Sequence, residues 1–202
     1  MKTSLLALGL AVLLPFGAVP HPVALHAAPA LPADVTSALA RGGLVLVLRH
    51  AHAPQAPPAP EAAAPGNTTP ERQLDARGEA EATAIGRGLR ALGVRVDRVL
   101  VSPAFRARQT ASFAGFPEAT ASPELGDNGQ SMAGVTDAQV RWLRTRAAET
   151  PGPGHLLLIT HSPNLTRAFP EWGGSVAEGE LVILQPTGDG AKVLARVLPG
   201  QW

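Results

Sequence analysis

The chain has 202 residues, a formal net charge of +1 and no cysteine. This length suits one domain behind a short leader, and an apolar fraction of 45% supports a packed core, which excludes a globally disordered chain. No basic cluster dominates any stretch, so we expect no nucleic-acid partner. Without cysteine there is neither a disulfide framework nor a thiolate metal site.

The N-terminal segment has the layout of an export signal. Met1-Lys2 gives a positive start, Leu5 to Val19 is almost wholly apolar, and small residues follow between positions 24 and 30. This order is typical of a cleaved signal peptide, and the run is short for a membrane span. We predict a signal peptide over 1–28, cleaved near 24–30, and a periplasmic or secreted domain over 31–202 with no stable membrane span. An uncleaved anchor or a buried first helix are the alternatives.

The mature chain begins with elements of an α/β fold. A helix is predicted over 32–41, and Gly42-Gly43 ends it. Leu44 to Leu48 is a continuous apolar run that predicts a strand buried on both faces. Residues 53–70 are rich in proline and alanine and predict an unusually long loop. Asp75 then resembles a helix N-cap, and Gly93 closes that helix.

The remaining pattern alternates buried strands with helices. The predicted elements are a buried strand at 99–101, a helix from 102 to about 113, an irregular stretch at 115–135, a helix at 137–149 behind a Thr136/Gln139 capping box, a buried strand at 156–159, a helix opening at 162, and closing strands at 181–184 and 193–197. We therefore predict a three-layer α/β sandwich with a mostly parallel, mixed central sheet, whose last two strands can pair as a hairpin.

Titratable side chains follow three of the predicted strands. They lie in Arg49-His50, in the segment from Ser102 to Arg106, and in Thr160-His161. In open α/β sheets, ligands bind at this edge. Two of the three segments also carry Ser-Pro, which predicts an N-capped helix start with free N–H groups that favour anions. A cationic, donor-rich pocket of this kind suits a phosphoryl group.

The same residues resemble the motifs of the histidine phosphatase superfamily, branch 1, whose members are phosphoglycerate-mutase-like. Leu48-Arg49-His50-Ala51 is similar to its Arg-His-Gly signature, with alanine in place of glycine. The run from Ser102 to Ala111 is similar to its second motif, and Thr160-His161 to its third. Leu74 to Gly78 resembles the start of the family's next helix. The resemblance covers roughly residues 43–197 and implies a phosphoglycerate-mutase-like fold.

The resemblance also implies roles for the strand-end residues. His50 would attack phosphorus and carry the phosphoryl group as a phosphohistidine, since neutral imidazole is nucleophilic. Arg49, Arg106 and His161 would hold the phosphoryl oxygens and offset charge in the transition state. Ser162 and His52 are further candidates for substrate binding. No metal ion and no cofactor are implied.

The proton donor for the leaving group is the least determined role. Glu124, in the irregular stretch after the second motif, is the candidate. Glu118, Glu178 and Glu180 are alternatives, and a mechanism without a dedicated acid stays open. The acid-phosphatase branch has His-Asp at the third motif, whereas this chain has His161-Ser162. Asn67 and Gln73 lie where relatives contact substrate, but the loop differs too much for residue-by-residue matching.

We predict an exported, metal-independent phosphatase that hydrolyses a phosphate monoester through a phosphohistidine. The expected partner is a small phosphorylated substrate, for example a phosphosugar or an envelope phosphate. Export argues against a mutase, because the phosphorylated substrates of glycolysis are cytosolic. The alternatives are a catalytically weak phosphate-binding module of the same fold and a structural envelope protein, which would neither bind nor turn over phosphate esters.

Overall fold

A computed structural model describes residues 30–129 and 132–202, so the predicted signal peptide lies outside the described residues. The α-helices in these ranges are α1 Ala33–Arg41, α2 Ala76–Ala91, α3 Phe105–Phe113, α4 Asp137–Ala148 and α5 Ser162–Ala168. The strands are β1 Val45–Arg49, β2 Val96–Val101, β3 Thr120–Ala121, β4 His155–Thr160, β5 Leu181–Pro186 and β6 Ala191–Val197. Apart from a single 3₁₀ turn at Pro60–Ala62, residues 53–70 form the predicted irregular loop.

The strands form one mixed sheet in the order β3-β2-β4-β1-β5-β6. The pairs β1–β4, β2–β4 and β2–β3 are parallel, whereas β1–β5 and β5–β6 are antiparallel. The mostly parallel sheet and the closing hairpin are therefore confirmed. β1 and β4 lie in the middle of the sheet, which agrees with their continuous apolar sequences.

Helices cover both faces of the sheet. Leu46 and Leu48 of β1 pack in one apolar cluster with buried residues of α1, α2 and α3. Val45 and Val47 point to the opposite face, because side chains alternate along a strand, and pack in a second cluster with α4 and α5. This arrangement confirms the three-layer sandwich. No helix within residues 30–129 and 132–202 has the length and apolarity that a bilayer crossing needs.

Two predicted elements differ from the structure. The apolar sequence of β2 predicts a buried strand, yet Val101 is the single fully buried residue along it. The reason is that β3 pairs only with Leu100 and Val101, which leaves the earlier part of β2 at an open edge. The helix predicted to begin at Ser102 begins at Phe105, behind Ala104, so Ser102 is not its N-cap.

Helix α2 starts against the chain segment that follows β1. Asp75 is its N-cap, as predicted, and accepts a hydrogen bond from Gly78 N at 2.9 Å. A Cβ atom on Gly78 would lie 2.0 Å from the carbonyl oxygen of His52, which is far inside van der Waals contact. Glycine is therefore required here, because only a residue without a side chain lets α2 approach the segment after His50.

Backbone hydrogen bonds to β4 continue past the carboxyl ends of β1 and β2. His50 N donates to Thr160 O at 3.1 Å, and Ser102 N donates to Ile159 O at 3.0 Å. Ser102 thus stays in register with the sheet, which explains why α3 cannot begin there. These bonds fix the residues that follow β1 and β2 beside the end of β4, at one edge of the sheet.

Candidate active site

Arg106 connects the three segments that follow β1, β2 and β4. Its Nε donates to His50 Nε2 at 3.2 Å, and its Nη2 lies 2.9 Å from His161 Nδ1. The same Nη2 forms an ion pair with Asp127 Oδ2 at 2.5 Å. The two imidazole rings have centroids 5.1 Å apart. The structure therefore brings together three of the predicted site residues, His50, Arg106 and His161.

The contacts of His50 define its protonation. Nδ1 lies 2.8 Å from the carbonyl oxygen of Ala51, which can only accept, so Nδ1 carries the proton. Nε2 accepts from Arg106 and therefore presents its lone pair. Burial, followed by the charge of Arg106, lowers the pKa of His50 from 6.5 to about 3. His50 is a neutral imidazole with Nε2 as its nucleophilic nitrogen.

His161 is oriented by a serine of the second motif. Its Nε2 lies 2.7 Å from Ser102 Oγ, and that oxygen also accepts from Ala104 N at 3.2 Å. Because Nδ1 accepts from Arg106, the proton of the neutral ring is on Nε2 and points to Ser102. Burial first, and then the proximity of His50 and Arg106, hold the pKa of His161 well below its usual value.

The rest of the second motif supports the chain around His50. Thr110 Oγ1 accepts from Ala51 N at 3.1 Å and donates to Arg106 O at 2.8 Å. Gln109 Oε1 accepts from Leu74 N at 2.7 Å, just before α2. The first motif, the second motif and the start of α2 are thus connected by side-chain to backbone hydrogen bonds, which limits movement of His50.

A cavity of about 630 Å³ opens in front of this cluster. Among the residues that line it are Glu71, Arg72, Ser102, Arg106 and Asp127. His50 and His161 are 2% and 0% exposed and lie behind Arg106 rather than on the cavity wall. Arg106 therefore covers the Nε2 lone pair of His50, and a ligand must exchange this contact before it can reach that nitrogen.

Arg49 and His52 face a neighbouring groove of about 550 Å³. Arg49 Nη1 donates to Val176 O at 2.8 Å, and Nη2 pairs with Glu178 at 3.4 Å. His52 Nδ1 lies 3.0 Å from Asp75 Oδ1. The structure does not place Arg49 on the wall of the cavity that Arg106 lines, because its guanidinium binds the Glu178 carboxylate and the Val176 carbonyl. Its charge still contributes to the lowered pKa of His50.

The glutamates predicted as acids do not line the cavity that contains Arg106. Glu124 accepts from Ser122 Oγ at 2.6 Å, a bond that lowers its pKa, and it does not line the cavity. Glu118 lies beside the open edge of β2. Glu178 pairs with Arg49, and Glu180 is buried against Arg196. Ser162 is the first residue of α5 and does not line the cavity either.

Asp127 is the carboxylate that sequence reasoning missed. It is 3% exposed, pairs with Arg106 and lies 3.5 Å from His161 Nδ1. The turn that carries it is held by hydrogen bonds from Thr160 Oγ1 to Leu125 O at 2.9 Å and from Asn164 Nδ2 to Gly126 O at 2.8 Å. Its sequence signal was the turn composition of 126–129, which predicts a turn but not the direction in which the Asp127 side chain points.

Two other cavity residues, Glu71 and Arg72, were also missed. Glu71 Oε2 accepts from Phe105 N at 3.0 Å, so a carboxylate occupies the α3 N-terminus that was expected to offer free N–H groups. Arg72 is 8% exposed and projects from the segment before α2. Within the described ranges, no group of three or more His, Asp or Glu side chains is arranged to hold a metal ion.

The fold of the described residues is that of solved histidine phosphatase structures, with a mixed six-stranded sheet between two helical layers. In this chain His50, Arg106 and His161 lie together at the carboxyl edge of that sheet. The phosphoglycerate-mutase-like fold that the sequence motifs predict is therefore confirmed.

Three solved structures illustrate the likeness. The protein histidine phosphatase SixA, complexed with tungstate, has a TM-score of 0.57 at 22% identity and covers 78% of this chain and 97% of its own. A phosphoserine phosphatase from Entamoeba histolytica, complexed with phosphoserine, has a TM-score of 0.54 at 10% identity over 78% and 98% of the two chains. The open reading frame Rv3214 of Mycobacterium tuberculosis has 0.54 at 18% identity over 77% and 97%.

Sequence comparison is less informative. No protein-family model matches the chain. An uncharacterized protein of Picosynechococcus, SYNPCC7002_A2622, is 31% identical over 115 residues, which is 54% of this chain and 62% of that protein. The match thus spans less than two thirds of the relative's length.

The buried histidines predict a specific dependence of stability on pH. The pKa of His50 falls from 6.5 to about 3 on folding, so the unfolded chain takes up a proton first as the pH drops. The stabilising contribution of neutral His50 is complete above pH 6.5 and is lost as the pH falls from there towards 3. In His50→Gln this loss is absent, so the free energy of unfolding should decline less steeply with acid than in wild type.

Urea unfolding in steps from about pH 7 to about pH 4 measures this difference. Arg141→Gln, on the exposed side of α4, is the control and should give a curve parallel to wild type. Parallel curves for wild type and His50→Gln would contradict the lowered pKa.

Proposed function

We propose that this chain is a histidine phosphatase that hydrolyses a phosphate monoester by transferring the phosphoryl group to His50 Nε2. The observation that carries this proposal is the placement of Arg106, whose guanidinium contacts both imidazoles and lines the cavity. Its donors and its charge are fixed beside the lone pair that would attack phosphorus. The chemistry needs no metal ion, because guanidinium and imidazole groups can offset the phosphoryl charge.

The first step begins with an exchange of partners. A phosphoryl oxygen takes the place of His50 Nε2 as the acceptor for Arg106 Nε, which uncovers the lone pair. Nε2 then forms a bond to phosphorus while the bond from phosphorus to the leaving oxygen breaks, and that oxygen takes a proton. Ala51 O keeps the Nδ1 proton in place and stabilises the positive charge that develops on the ring.

Asp127 is the proton donor that the geometry supports. Asp127 lines the cavity and is bonded to Arg106 Nη2, whereas the phosphoryl group takes over Arg106 Nε, so the carboxyl group stays beside the bound ester. In its protonated form it would donate to the leaving oxygen. In the second step a water molecule attacks phosphorus, its proton passes to Asp127, and the bond from phosphorus to nitrogen breaks to release phosphate and neutral His50.

The substrates named for the fold relatives give a starting point for assays. SixA is a protein histidine phosphatase, and the Entamoeba enzyme was crystallised with phosphoserine. The 630 Å³ cavity is open and large enough for a small phosphorylated compound. We therefore place phosphosugars, other small phosphate esters and phosphohistidine in one substrate screen.

The nucleophile prediction is tested with His50→Ala in the described domain. Wild type should hydrolyse at least one ester of the screen, and the variant should lose more than about a thousandfold in kcat, because a covalent nucleophile has no substitute. Quenching the wild-type reaction should trap an acid-labile, alkali-stable phosphoenzyme that is absent from His50→Ala. Tight phosphate binding without turnover in wild type would instead favour the weak binding module.

The acid prediction is tested by comparing Asp127→Asn with Glu124→Gln. Asp127→Asn should lower kcat by about 10²- to 10⁴-fold for alkyl phosphates, whose leaving oxygen needs a proton, and much less for aryl phosphates with good leaving groups. Glu124→Gln should stay within about twofold of wild type, since its carboxylate is bonded to Ser122 away from the cavity. A loss of activity in Glu124→Gln without a loss in Asp127→Asn would show that Glu124 is the proton donor.

We also propose that the phosphatase acts outside the cytoplasm, on the basis of the N-terminal sequence alone. Expression of the full chain in a bacterial host should then give a processed protein in the extracytoplasmic fraction, with its N-terminus between residues 24 and 31. N-terminal sequencing checks this result. An unprocessed chain retained in the cytoplasm would contradict it.

A further inference from the structure

A third arginine, Arg72, is built into the wall of the cavity. Its side chain is 8% exposed and lines the same space as Arg106 and Asp127. Two of its nitrogens are fixed by backbone carbonyls of the segment that follows His50. Nε donates to Pro54 O and Nη2 donates to Ala53 O, each at 2.5 Å. These two bonds hold the guanidinium rigidly, and its third nitrogen, Nη1, bonds to neither carbonyl.

That remaining nitrogen, Nη1, is buried and has no hydrogen-bond partner among the described residues. The nearest carboxylate contact of this guanidinium is an ion pair from Nη2 to Glu178, which is long at 3.7 Å. An unsatisfied donor on a buried charged group is costly, and native proteins rarely retain one without a reason. Because Arg72 lines the cavity, a small movement of its neighbours on ligand binding would let an acceptor oxygen of the ligand reach Nη1.

The local charges favour an anion as the source of that oxygen. The Arg72 charge is among the causes that lower the pKa values of both His50 and His161, so it acts directly on the reactive cluster. Burial, followed by repulsion from Arg106, lowers the pKa of Arg72 itself. An anion between the guanidinium groups of Arg72 and Arg106 would relieve this repulsion.

A purely structural role explains these observations less well. Holding two carbonyls requires two neutral donors, which an amide side chain supplies without burying a charge. A buried arginine beside another arginine is unfavourable unless something negative lies between them. Glu178 is shared with Arg49 at 3.4 Å, and Asp127 is already paired with Arg106, so each is an incomplete partner for Arg72.

We propose that Arg72 is a further phosphate-binding residue, which donates Nη1 to a non-bridging oxygen of the phosphoryl group opposite Arg106. The ligand class is a tetrahedral oxyanion with a charge near −2, as in a phosphate monoester. Because Ala53 and Pro54 begin the long loop, the same guanidinium also couples an occupied cavity to the position of that loop. This role rests on the proposed function, since it requires that the cavity binds phosphate.

The test measures binding of inorganic phosphate by calorimetry to wild type, Arg72→Gln, Arg72→Lys and Arg141→Gln. Arg72→Gln retains two polar groups for the loop but removes the charge, and its Kd should rise about 10- to 100-fold, as expected for a lost charged hydrogen bond. Arg72→Lys should recover part of that loss. Arg141→Gln removes an exposed arginine of α4 and should bind as wild type does.

A second variant should change the phosphate affinity in the opposite direction. Glu178→Gln removes the carboxylate that competes for Arg49 and Arg72, so phosphate should bind more tightly than in wild type. The gain should shrink when Glu178→Gln is combined with Arg72→Gln, because one of the released guanidinium groups is then missing. This pair keeps the test decisive even if Arg72→Gln alone is too unstable to measure.

The outcomes separate this role from the proposed function. If wild type fails to bind phosphate, both are overturned. If wild type binds and Arg72→Gln binds equally at a temperature where circular dichroism shows it folded, Arg72 is a loop anchor and only this role is overturned. An affinity gain from Glu178→Gln that is the same with and without Arg72 would likewise overturn this role alone.

Discussion

The guanidinium of Arg106 holds the candidate site together. It contacts the imidazole after β1, the imidazole after β4 and the carboxylate of the turn that precedes α4. Each of these groups is almost fully buried, and each needs a partner in a region from which water is largely excluded. Removal of Arg106 would leave Asp127 as a buried unpaired charge and both imidazoles without a donor. The fork geometry of arginine makes this three-way contact possible, and lysine could not reproduce it.

The sheet makes the contacts of Arg106 possible, because it fixes the strand ends from which the contacting residues project. β1 and β4 are adjacent parallel strands, so His50 and His161 leave the sheet side by side. β2 borders β4 on its other side and places Ser102 within hydrogen-bond distance of His161. The apolar cores on both faces keep these strand ends rigid, and Gly78 allows α2 to pack against the segment after His50. The geometry of the candidate site at this edge is therefore a consequence of strand order.

The sequence predicted those elements and site residues that a short stretch of consecutive residues indicates. Continuous apolar runs identified β1 and β4, and the Thr136/Gln139 pattern identified the capping box of α4. His50, Arg106 and His161 were found because each directly follows or closely follows a strand. Asp127 and Arg72 lie in irregular segments, where no periodicity indicates which side chain points inward. For this reason Glu124 was predicted as the proton donor, three positions before the buried carboxylate of Asp127. The pairing of Arg49 with Glu178 depends on a loop beyond β4, which is a contact between distant parts of the chain.

The proposed function requires that a phosphoryl group binds in the cavity with its phosphorus facing His50 Nε2 and one oxygen on Arg106 Nε. A crystal structure of the domain with vanadate, which imitates the transition state of phosphoryl transfer, tests this directly. We expect a vanadium atom bonded to Nε2, with Arg106 Nε moved from that nitrogen onto a vanadate oxygen. Vanadate bound elsewhere, with the contact between Arg106 and His50 intact, would contradict it.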